Sequence, residues 1–179
     1  MGVMSIGIFG GRFDPPHVGH VAFVEAACAQ LPIDELHVTV VADAGHKDAV
    51  APAADRLAMA RLAFPDAVVR LEQHAYTVDA LEADGHDDPF FLIGADQLAE
   101  FRTWKRPDRV LELARLGVAT RPGYTPATTS PRIQLFELEP QPVSSSEVRE
   151  RARRGEPLDG LVPPAVARYI AEHGLYRGP

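Results

Sequence analysis

The sequence predicts an α/β fold in which a parallel sheet is covered by helices on both faces. Short apolar runs typical of buried strands alternate along the chain with segments whose apolar residues recur at helical spacing. Proline, glycine and other turn residues separate the two kinds of segment. Strand–helix alternation favours parallel strands with helices on each side of the sheet. Residues 1–179 are therefore predicted to form one domain, which is long enough to bury a core of its own.

The predicted sheet has about five or six strands in a Rossmann-like arrangement. The strand patterns fall at residues 5–9, 35–41, 68–71, 89–93, 116–120 and 134–138. The helix patterns fall at residues 21–31, 53–64, 77–83, 96–101, 107–114, 145–154 and 164–173, and the last two are the C-terminal helices. In such sheets ligands bind beyond the carboxyl ends of the strands, where the strand order reverses. Functional residues are therefore expected in the loops that follow the strands.

The composition narrows the class of protein. The formal net charge of −7 argues against general affinity for nucleic acid or for an anionic membrane. No apolar run is long enough to span a bilayer and no signal-peptide pattern is seen, so a cytoplasmic protein is expected. The single cysteine, Cys28, excludes an internal disulfide and a cysteine-based zinc site, and we expect it to be a small core residue of the first helix. The oligomeric state stays open, a homo-oligomer included.

Two histidines, His17 and His20, lie where the first predicted strand turns into the first helix. The preceding Gly10 and Gly11 let the backbone bend and approach a ligand closely. A helix start offers unpaired N–H groups and the positive end of a dipole, which together favour phosphate. Two imidazoles one turn apart can donate hydrogen bonds to a phosphate chain. The motif therefore predicts a site for a nucleoside triphosphate.

Two further strand ends carry residues suited to a nucleotide. Lys47 follows the second strand, where it either neutralises a phosphate or is a solvated loop lysine. Gly94 and Asp96 follow the fourth strand, and a carboxylate at this place can accept hydrogen bonds from ribose hydroxyls. Asp96 can also cap the next helix, and the two interpretations are compatible.

Trp104 is the only tryptophan, and it lies in a charged loop between two predicted helices. A core tryptophan would more often lie on a periodic apolar face, so this placement favours a ring partly open to a ligand. Stacking of such a ring on a heteroaromatic base is worth about 1–3 kcal/mol.

The penultimate predicted helix begins with three serines. Ser144 and Glu147 have capping-box spacing, which assigns Ser144 to the helix cap. Ser145 and Ser146 are then available to face an anion at the helix start. Arg149 lies about one turn further on, where it could bridge polyphosphate oxygens with hydrogen bonds worth about 1.5–3 kcal/mol.

The turn around His17 and His20 resembles the signature of the nucleotidylyltransferase superfamily, a strand followed by a Gly-Phe-Asp-Pro turn and a His-x-Gly-His helix start. Other segments are similar to those of the bacterial nicotinate-mononucleotide adenylyltransferases of NAD biosynthesis. They follow the family's order and cover nearly the whole chain: residues 46–47, 75–81, 93–98, 104, 121–124, 143–149 and 161–176. The resemblance implies transfer of AMP from ATP to nicotinate mononucleotide, which forms deamido-NAD and pyrophosphate.

The resemblance also implies a role for each matching residue. The catalytic residues implied are His17, His20, Lys47 and Arg149. The residues implied for ATP are Gly10, Gly11, Phe13, His17, His20, Gly94, Asp96, Ser145, Ser146 and Arg149. Those implied for nicotinate mononucleotide are Lys47, Tyr76, Thr77, Trp104 and Lys105, with Trp104 stacked on the pyridine ring and backbone N–H groups near Thr77 and Lys105 receiving the carboxylate. Magnesium is expected with ATP, and no metal site built by the protein is expected.

Two alternatives remain at this stage. The acceptor could be another phosphate, such as nicotinamide mononucleotide or phosphopantetheine, because the distinction between acid and amide depends on a few backbone donors. The chain could also be a nucleotide-binding sensor without catalysis, although the presence of His17, His20 and Arg149 argues against that.

Overall fold

Six parallel strands form one sheet among the residues that the computed structural model describes, which are 4–42, 50–123, 125 and 130–178. The strands are β1 (Ile6–Gly11), β2 (Glu35–Val41), β3 (Val68–Glu72), β4 (Phe90–Gly94), β5 (Arg115–Thr120) and β6 (Ile133–Glu137). Their order in the sheet is β3-β2-β1-β4-β5-β6. The predicted fold class is confirmed, and the upper value of the predicted strand number is correct.

Seven α-helices connect or follow these strands in the same described part of the chain. They are α1 (Val18–Gln30), α2 (Ala53–Ala63), α3 (Thr77–Asp84), α4 (Ala95–Glu100), α5 (Pro107–Leu113), α6 (Ser145–Arg153) and α7 (Pro164–Glu172). A short 3-10 helix, Phe101–Thr103, extends α4. Within the described ranges, no helix combines the length and the apolar character that crossing a membrane requires.

The core lies on both faces of the sheet because successive strand residues point to opposite sides. Ile8 packs with buried residues of α3, α4 and α5, whereas the neighbouring Phe9 packs with buried residues of α1, α2, α6 and α7. β2 shows a continuous run of buried residues, as expected for a strand covered on both faces. The two helical layers therefore follow directly from the apolar runs in the sequence.

One sequence expectation about the core is wrong. Cys28 is exposed on α1 and does not belong to the core. The buried side of this helix is formed instead by Val24 and Ala27, followed by Leu31 at the helix end. Cys28 is adjacent to Ala27, and neighbouring helical residues point about 100° apart, so burying one turns the next towards solvent.

The strand order reverses between β1 and β4, which lie side by side in the sheet. β1 pairs with β2 on one side and with β4 on the other, and Phe9 lies opposite Leu92 in the second pairing. The chain moves outward from β1 to β3 in one direction and from β4 to β6 in the other. Such a reversal leaves a crevice at the carboxyl ends of the two central strands. The loops after β1 and β4 therefore line the place where a ligand is expected.

Candidate active site

His17 and His20 form a stacked pair at the start of α1. His17 is the N-cap residue with extended backbone angles (φ −134°, ψ 173°). Its backbone N–H donates a hydrogen bond to Nδ1 of His20 at 3.1 Å. The two ring centroids lie 3.7 Å apart with an interplanar angle of 20°. α1 begins at Val18, before the apolar pattern at residues 21–31, and the two histidines lie one turn apart at its start, as the sequence predicts.

This geometry fixes the protonation of His20. Because Nδ1 accepts a hydrogen bond from the backbone, the proton of the neutral ring must reside on Nε2. Burial, followed by the charge that His17 would carry, lowers the pKa of His20 to about 3. Burial lowers the pKa of His17 to about 4. Both rings are therefore neutral at pH 7, and Nε2 of His20 is a hydrogen-bond donor without a positive charge.

Gly19 makes room for the ring of His17. A Cβ placed on Gly19 would lie 3.0 Å from both Nδ1 and Cε1 of His17, and 3.2 Å from Cγ1 of Val143. These distances are shorter than ordinary van der Waals contact. The glycine between the two histidines is therefore required for the packing of a side chain, in addition to the bend that precedes the helix.

The turn before the helix is held by the buried side chain of Asp14. Its carboxylate accepts hydrogen bonds from the backbone N–H groups of Val50 at 2.7 Å and Ala51 at 3.1 Å. It also accepts one from the hydroxyl of Tyr176 at 2.7 Å. A buried carboxylate is costly unless its oxygens are hydrogen-bonded, and three donors meet that need here. Asp14 thus connects the turn to the segment after β2 and to the C-terminal segment.

Arg56 of α2 is a second buried anchor, and sequence reasoning did not single it out. Only 1% of its surface is exposed. Its guanidinium donates to the carbonyls of Arg12 at 3.0 Å and of Val41 at 2.7 Å, and to those of Ala42 and Ala51. These carbonyls lie just after β1, at the end of β2 and in the segment that follows β2, so one side chain holds both connections. Its position in the sequence looks like the polar face of a helix, and nothing local distinguishes it.

Arg149 connects α6 to the turn between β1 and α1, where Asp14 lies. Its Nη1 donates to the backbone carbonyl of Asp14 at 2.8 Å, and its Nη2 donates to Oγ of Ser146 at 3.2 Å. The hydroxyl of Ser145 donates to the carbonyl of Pro15 at 2.9 Å. Ser144 caps α6 by accepting from the N–H of Glu147, as its spacing predicts. The hydroxyls of Ser145 and Ser146 thus already have partners inside the protein, and their backbone N–H groups are the ones left at the helix start.

A cavity of about 700 Å³ opens beside β1 and β4. Its lining includes Gly10 and Gly11 at the end of β1, and all four of the described residues expected to bind the acceptor: Tyr76, Thr77, Trp104 and Lys105. Half-buried, the Trp104 ring is held edge-on by Phe101, with ring centroids 5.3 Å apart. The structure therefore brings these sequence-predicted residues to one cavity, next to the turn that carries His17 and His20.

Lys105 is fixed at the rim of this cavity. Its Nζ donates to both carboxylate oxygens of Asp79, at 2.9 and 2.7 Å, and lies 4.8 Å from the ring centroid of Tyr76. Thr77 is the first residue of α3, and Tyr76 is the N-cap of this helix. The start of α3, at Tyr76 and Thr77, thus lies at the cavity wall, and the first N–H groups of a helix lack partners within it.

The remaining predicted residues have varied surroundings. Gly94 ends β4 and is the N-cap of α4, where its N–H donates to the side chain of Gln97 at 3.1 Å. Asp96 lies exposed in the first turn of α4, so it does not cap that helix. The ring of Phe13 is buried against His20, which limits its contribution at a nucleotide site to the main chain. Lys47 lies outside the residues that the structure describes.

Sequence reasoning missed two further lining residues, Glu72 and His74. Glu72 ends β3 and His74 follows it, so both lie at the carboxyl edge of the sheet. The alternation of charged and apolar residues at a strand end could have drawn attention to them, but the segment contains no phosphate-binding pattern. Among the described residues, no cluster of three histidine, cysteine or carboxylate side chains is arranged to hold a metal ion.

A reversed strand order, a histidine turn at the helix start and an adjoining cavity define a protein of the nucleotidyltransferase class. The cytidylyltransferase-like family matches residues 8–151. A "Probable nicotinate-nucleotide adenylyltransferase" of Bordetella avium is 39% identical over 193 residues, covering 96% of this chain and 98% of the relative. Proteins of the same name from Solibacter usitatus and Thermus thermophilus are 41% and 40% identical, with 97% of this chain covered. The chain therefore belongs to the cytidylyltransferase-like family and, within it, to the nicotinate-nucleotide adenylyltransferases.

Solved structures agree with this fold. The nicotinic acid mononucleotide adenylyltransferase of Plasmodium falciparum complexed with NaAD superposes with a TM-score of 0.77, covering 97% of each chain at 17% identity. A "Putative Nicotinate-nucleotide Adenylyltransferase" from Vibrio parahaemolyticus gives a TM-score of 0.67, also at 17% identity, with 98% of this chain covered. At this identity the likeness concerns the fold alone.

Proposed function

We propose that this protein transfers AMP from ATP to nicotinate mononucleotide, forming deamido-NAD and pyrophosphate. The observation that carries the proposal is the stacked pair of His17 and His20. The pair lies at the carboxyl end of β1, with Arg149 bonded to the same turn and the cavity beginning at Gly10 and Gly11. A phosphate-binding turn beside a cavity with an aromatic wall suits a reaction that joins two nucleotides.

The chemistry requires alignment and stabilisation of charge. The attacking group is a phosphate oxygen of the acceptor, which is already ionised at neutral pH, so no general base is needed. It attacks the innermost phosphorus of ATP from the side opposite the leaving pyrophosphate. Rate enhancement then comes from holding the two reactants in line and from donors aimed at the oxygens on which charge develops.

His17, His20 and Arg149 are the proposed donors. The pKa of about 3 keeps the ring of His20 neutral at pH 7, and this neutral ring offers its Nε2–H to a phosphate oxygen. Arg149 supplies a permanent positive charge, which suits the leaving pyrophosphate. Lys47 is proposed to add a second cation on the phosphate side. The N–H groups at the start of α6, from Ser145 and Ser146, extend the anion site.

The adenosine and the acceptor occupy separate regions in this proposal. Gly94 and Asp96, after β4, hold the adenosine, with the Asp96 carboxylate accepting from ribose hydroxyls. Trp104 stacks on the pyridine ring inside the cavity. The backbone N–H groups at Thr77 and Lys105 receive the nicotinate carboxylate. Tyr76 covers the rim of the cavity beside Lys105.

In this proposal magnesium would come with the ATP substrate, and it would neutralise part of the charge on the phosphates. The residues 1–179 act as one nucleotidyltransferase domain whose partners are small molecules. A protein that consumes ATP and a pyridine nucleotide is further proposed to work in the cytoplasm.

An acceptor panel tests the proposal. The protein is incubated with ATP, magnesium and one of three acceptors: nicotinate mononucleotide, nicotinamide mononucleotide or phosphopantetheine. We expect stoichiometric pyrophosphate and deamido-NAD, with the highest kcat/KM for nicotinate mononucleotide. The His20→Ala variant, prepared in parallel, controls for contaminating host enzymes. Absence of pyrophosphate with all three acceptors, or preference for phosphopantetheine, would overturn the proposal.

A further inference from the structure

The chain after α7 is folded back by a turn at the end of this helix. Gly174 adopts a left-handed backbone with φ 61° just beyond α7. The N–H of Leu175 donates to the carbonyl of Ile170 at 3.0 Å. The N–H of Gly174 donates to the carbonyl of Ala171 at 3.4 Å. These bonds form the Schellman motif that commonly ends a helix at a glycine. The motif fixes the direction in which the chain continues to Tyr176.

Tyr176 itself is held in an unusual backbone conformation. Its φ is 63°, in the left-handed region that a bulky residue rarely adopts. Such a conformation persists only where the surrounding contacts impose it. The ring packs half-buried against the core, and the hydroxyl donates to Oδ1 of Asp14 at 2.7 Å. Burial and the neighbouring Asp14 raise the pKa of Tyr176, so the phenol keeps its proton and remains a donor.

Asp14 is the residue through which Tyr176 reaches the site. It is 2% exposed and precedes His17 by three residues in the same turn. Its backbone carbonyl accepts from Nη1 of Arg149 at 2.8 Å, so Asp14 also joins Arg149 to this turn. A displacement of Asp14 would therefore move the histidine pair and Arg149 relative to each other.

We propose that Tyr176 is a positioning residue for the transfer of AMP, because its phenol, acting through Asp14, keeps the histidine pair and Arg149 in the arrangement that the triphosphate requires. The inference rests on the proposed function. A small displacement of groups that align the reactants can cost up to about 100-fold in rate. The cavity proposed for the acceptor is lined by Trp104 and by residues of other elements, so Tyr176 has no part in binding the acceptor.

Two tyrosines allow a matched comparison. Tyr169 of α7 donates its hydroxyl to Oδ1 of Asp55 in α2 at 2.8 Å, so it makes the same kind of phenol–carboxylate bond away from the histidine turn. Tyr176→Phe and Tyr169→Phe each remove one hydroxyl and keep the ring. For each variant kcat and KM are measured with both substrates, and Kd for nicotinate mononucleotide comes from quenching of the fluorescence of Trp104, the only tryptophan. Circular dichroism and urea denaturation report the fold and its stability.

We expect Tyr176→Phe to lower kcat about tenfold or more and to raise KM for ATP, because the turn that holds the triphosphate loses a constraint. Its Kd for nicotinate mononucleotide should equal that of the wild type. Tyr169→Phe should lose stability but keep the wild-type kcat. An unchanged kcat in Tyr176→Phe, an equal fall in both variants, or a Tyr176→Phe protein that does not fold would overturn the inference, since Tyr176 would then support the fold alone.

A double variant tests whether Tyr176 acts through Asp14. The kcat of Asp14→Ala combined with Tyr176→Phe should equal that of Asp14→Ala alone, because the phenol has no carboxylate left to hold. Two losses that multiply would show independent effects and overturn the inference. A wild-type protein that turns over neither nicotinate nor nicotinamide mononucleotide would instead refute the proposed function, and the inference with it.

Discussion

The backbone N–H of His17 donates to Nδ1 of His20, and the two rings stack with their centroids 3.7 Å apart. One contact thereby sets the helix start, the tautomer of His20 and the spacing of both rings. A turn that merely capped a helix would not need a second imidazole. The arrangement instead presents the Nε2–H of His20 in a fixed direction, because rotation of the ring would break the bond to the backbone.

Replacement of His20 by alanine should lower kcat by about 100-fold or more, because a donor to the reacting phosphate is lost. The fold should persist, since α1 keeps its buried residues Val24 and Ala27. Single-turnover pyrophosphate release measures the loss, and circular dichroism measures the fold. Unchanged turnover in a folded variant would remove His20 from the mechanism.

Gly19→Ala should lower kcat while changing the thermal stability of the protein little. Alanine is more favourable than glycine in a helix, by about 1 kcal/mol at interior positions, so the thermal stability should not fall greatly. The added Cβ would lie 3.0 Å from the His17 ring and must displace it. A small displacement of a positioning group can cost up to about 100-fold in rate. If kcat in this variant equals that of the wild type, the position of the His17 ring has no bearing on catalysis.

Trp104→Ala should weaken binding of nicotinate mononucleotide by more than it weakens binding of ATP, because the ring is proposed to stack on the pyridine only. The loss should be about 1–3 kcal/mol in acceptor affinity. Calorimetric titration with each substrate measures it. Trp104→Phe, which keeps an aromatic face beside Phe101, should recover part of the affinity. Equal losses for both substrates would make Trp104 a residue that only supports the fold.

The histidine pair should make stability depend on pH. In the unfolded chain both histidines titrate near 6.5, whereas in the folded protein their pKa values are about 4 and 3. Between about pH 6.5 and pH 4 the unfolded state binds more protons, so the free energy of unfolding must fall as the pH falls. The slope approaches about 1.4 kcal/mol per pH unit for each histidine.

Urea denaturation of the wild type and of His20→Gln over this range measures the effect, and the difference between the two removes the contribution of the carboxylates. The variant should lose less stability than the wild type on acidification. An NMR titration of the ring protons gives a direct reading. Midpoints near pH 6.5 for both rings would contradict the burial of the pair.

Arg56→Met should destabilise the protein strongly, because the carbonyls that accept from its guanidinium lose their donor. The cost should be about 3 kcal/mol or more. Arg61→Met, on the exposed face of the same helix, is the matched control and should change stability little. Equal midpoints of urea denaturation for the two variants would show that Arg56 does not hold the loops.

Much of the fold could be predicted because the apolar runs agree with the strands that form. The bounds of β2 agree residue for residue, since a buried strand reads as a continuous run of Leu, Val and Thr. Cys28 was misassigned because alanines surround it, and such a segment has little contrast between a buried and an exposed face. The presence of α1 itself was still predictable, because Phe23, Val24 and Leu31 recur at helical spacing.

Site residues that lie close together in the sequence could be predicted. Site residues that only the fold brings together could not. His17, Gly19 and His20 lie within one turn, so their residue types carry the signal. The contacts of Arg56, and the place of Glu72 and His74 beside the cavity, arise only when strands that are distant in sequence align their carboxyl ends. A buried arginine and a carboxylate-bound histidine look in sequence like ordinary polar residues, and only packing distinguishes them.

The bond between Tyr176 and Asp14 has a consequence for synthesis of the chain on the ribosome. The turn that carries the histidines emerges early, but the phenol that closes it is made 162 residues later. A nascent chain therefore has the turn that carries the histidines without that closing partner until those 162 residues have been added. Nucleotide captured by an incomplete chain should be held more weakly than by the finished one, so the order of synthesis itself delays the onset of activity.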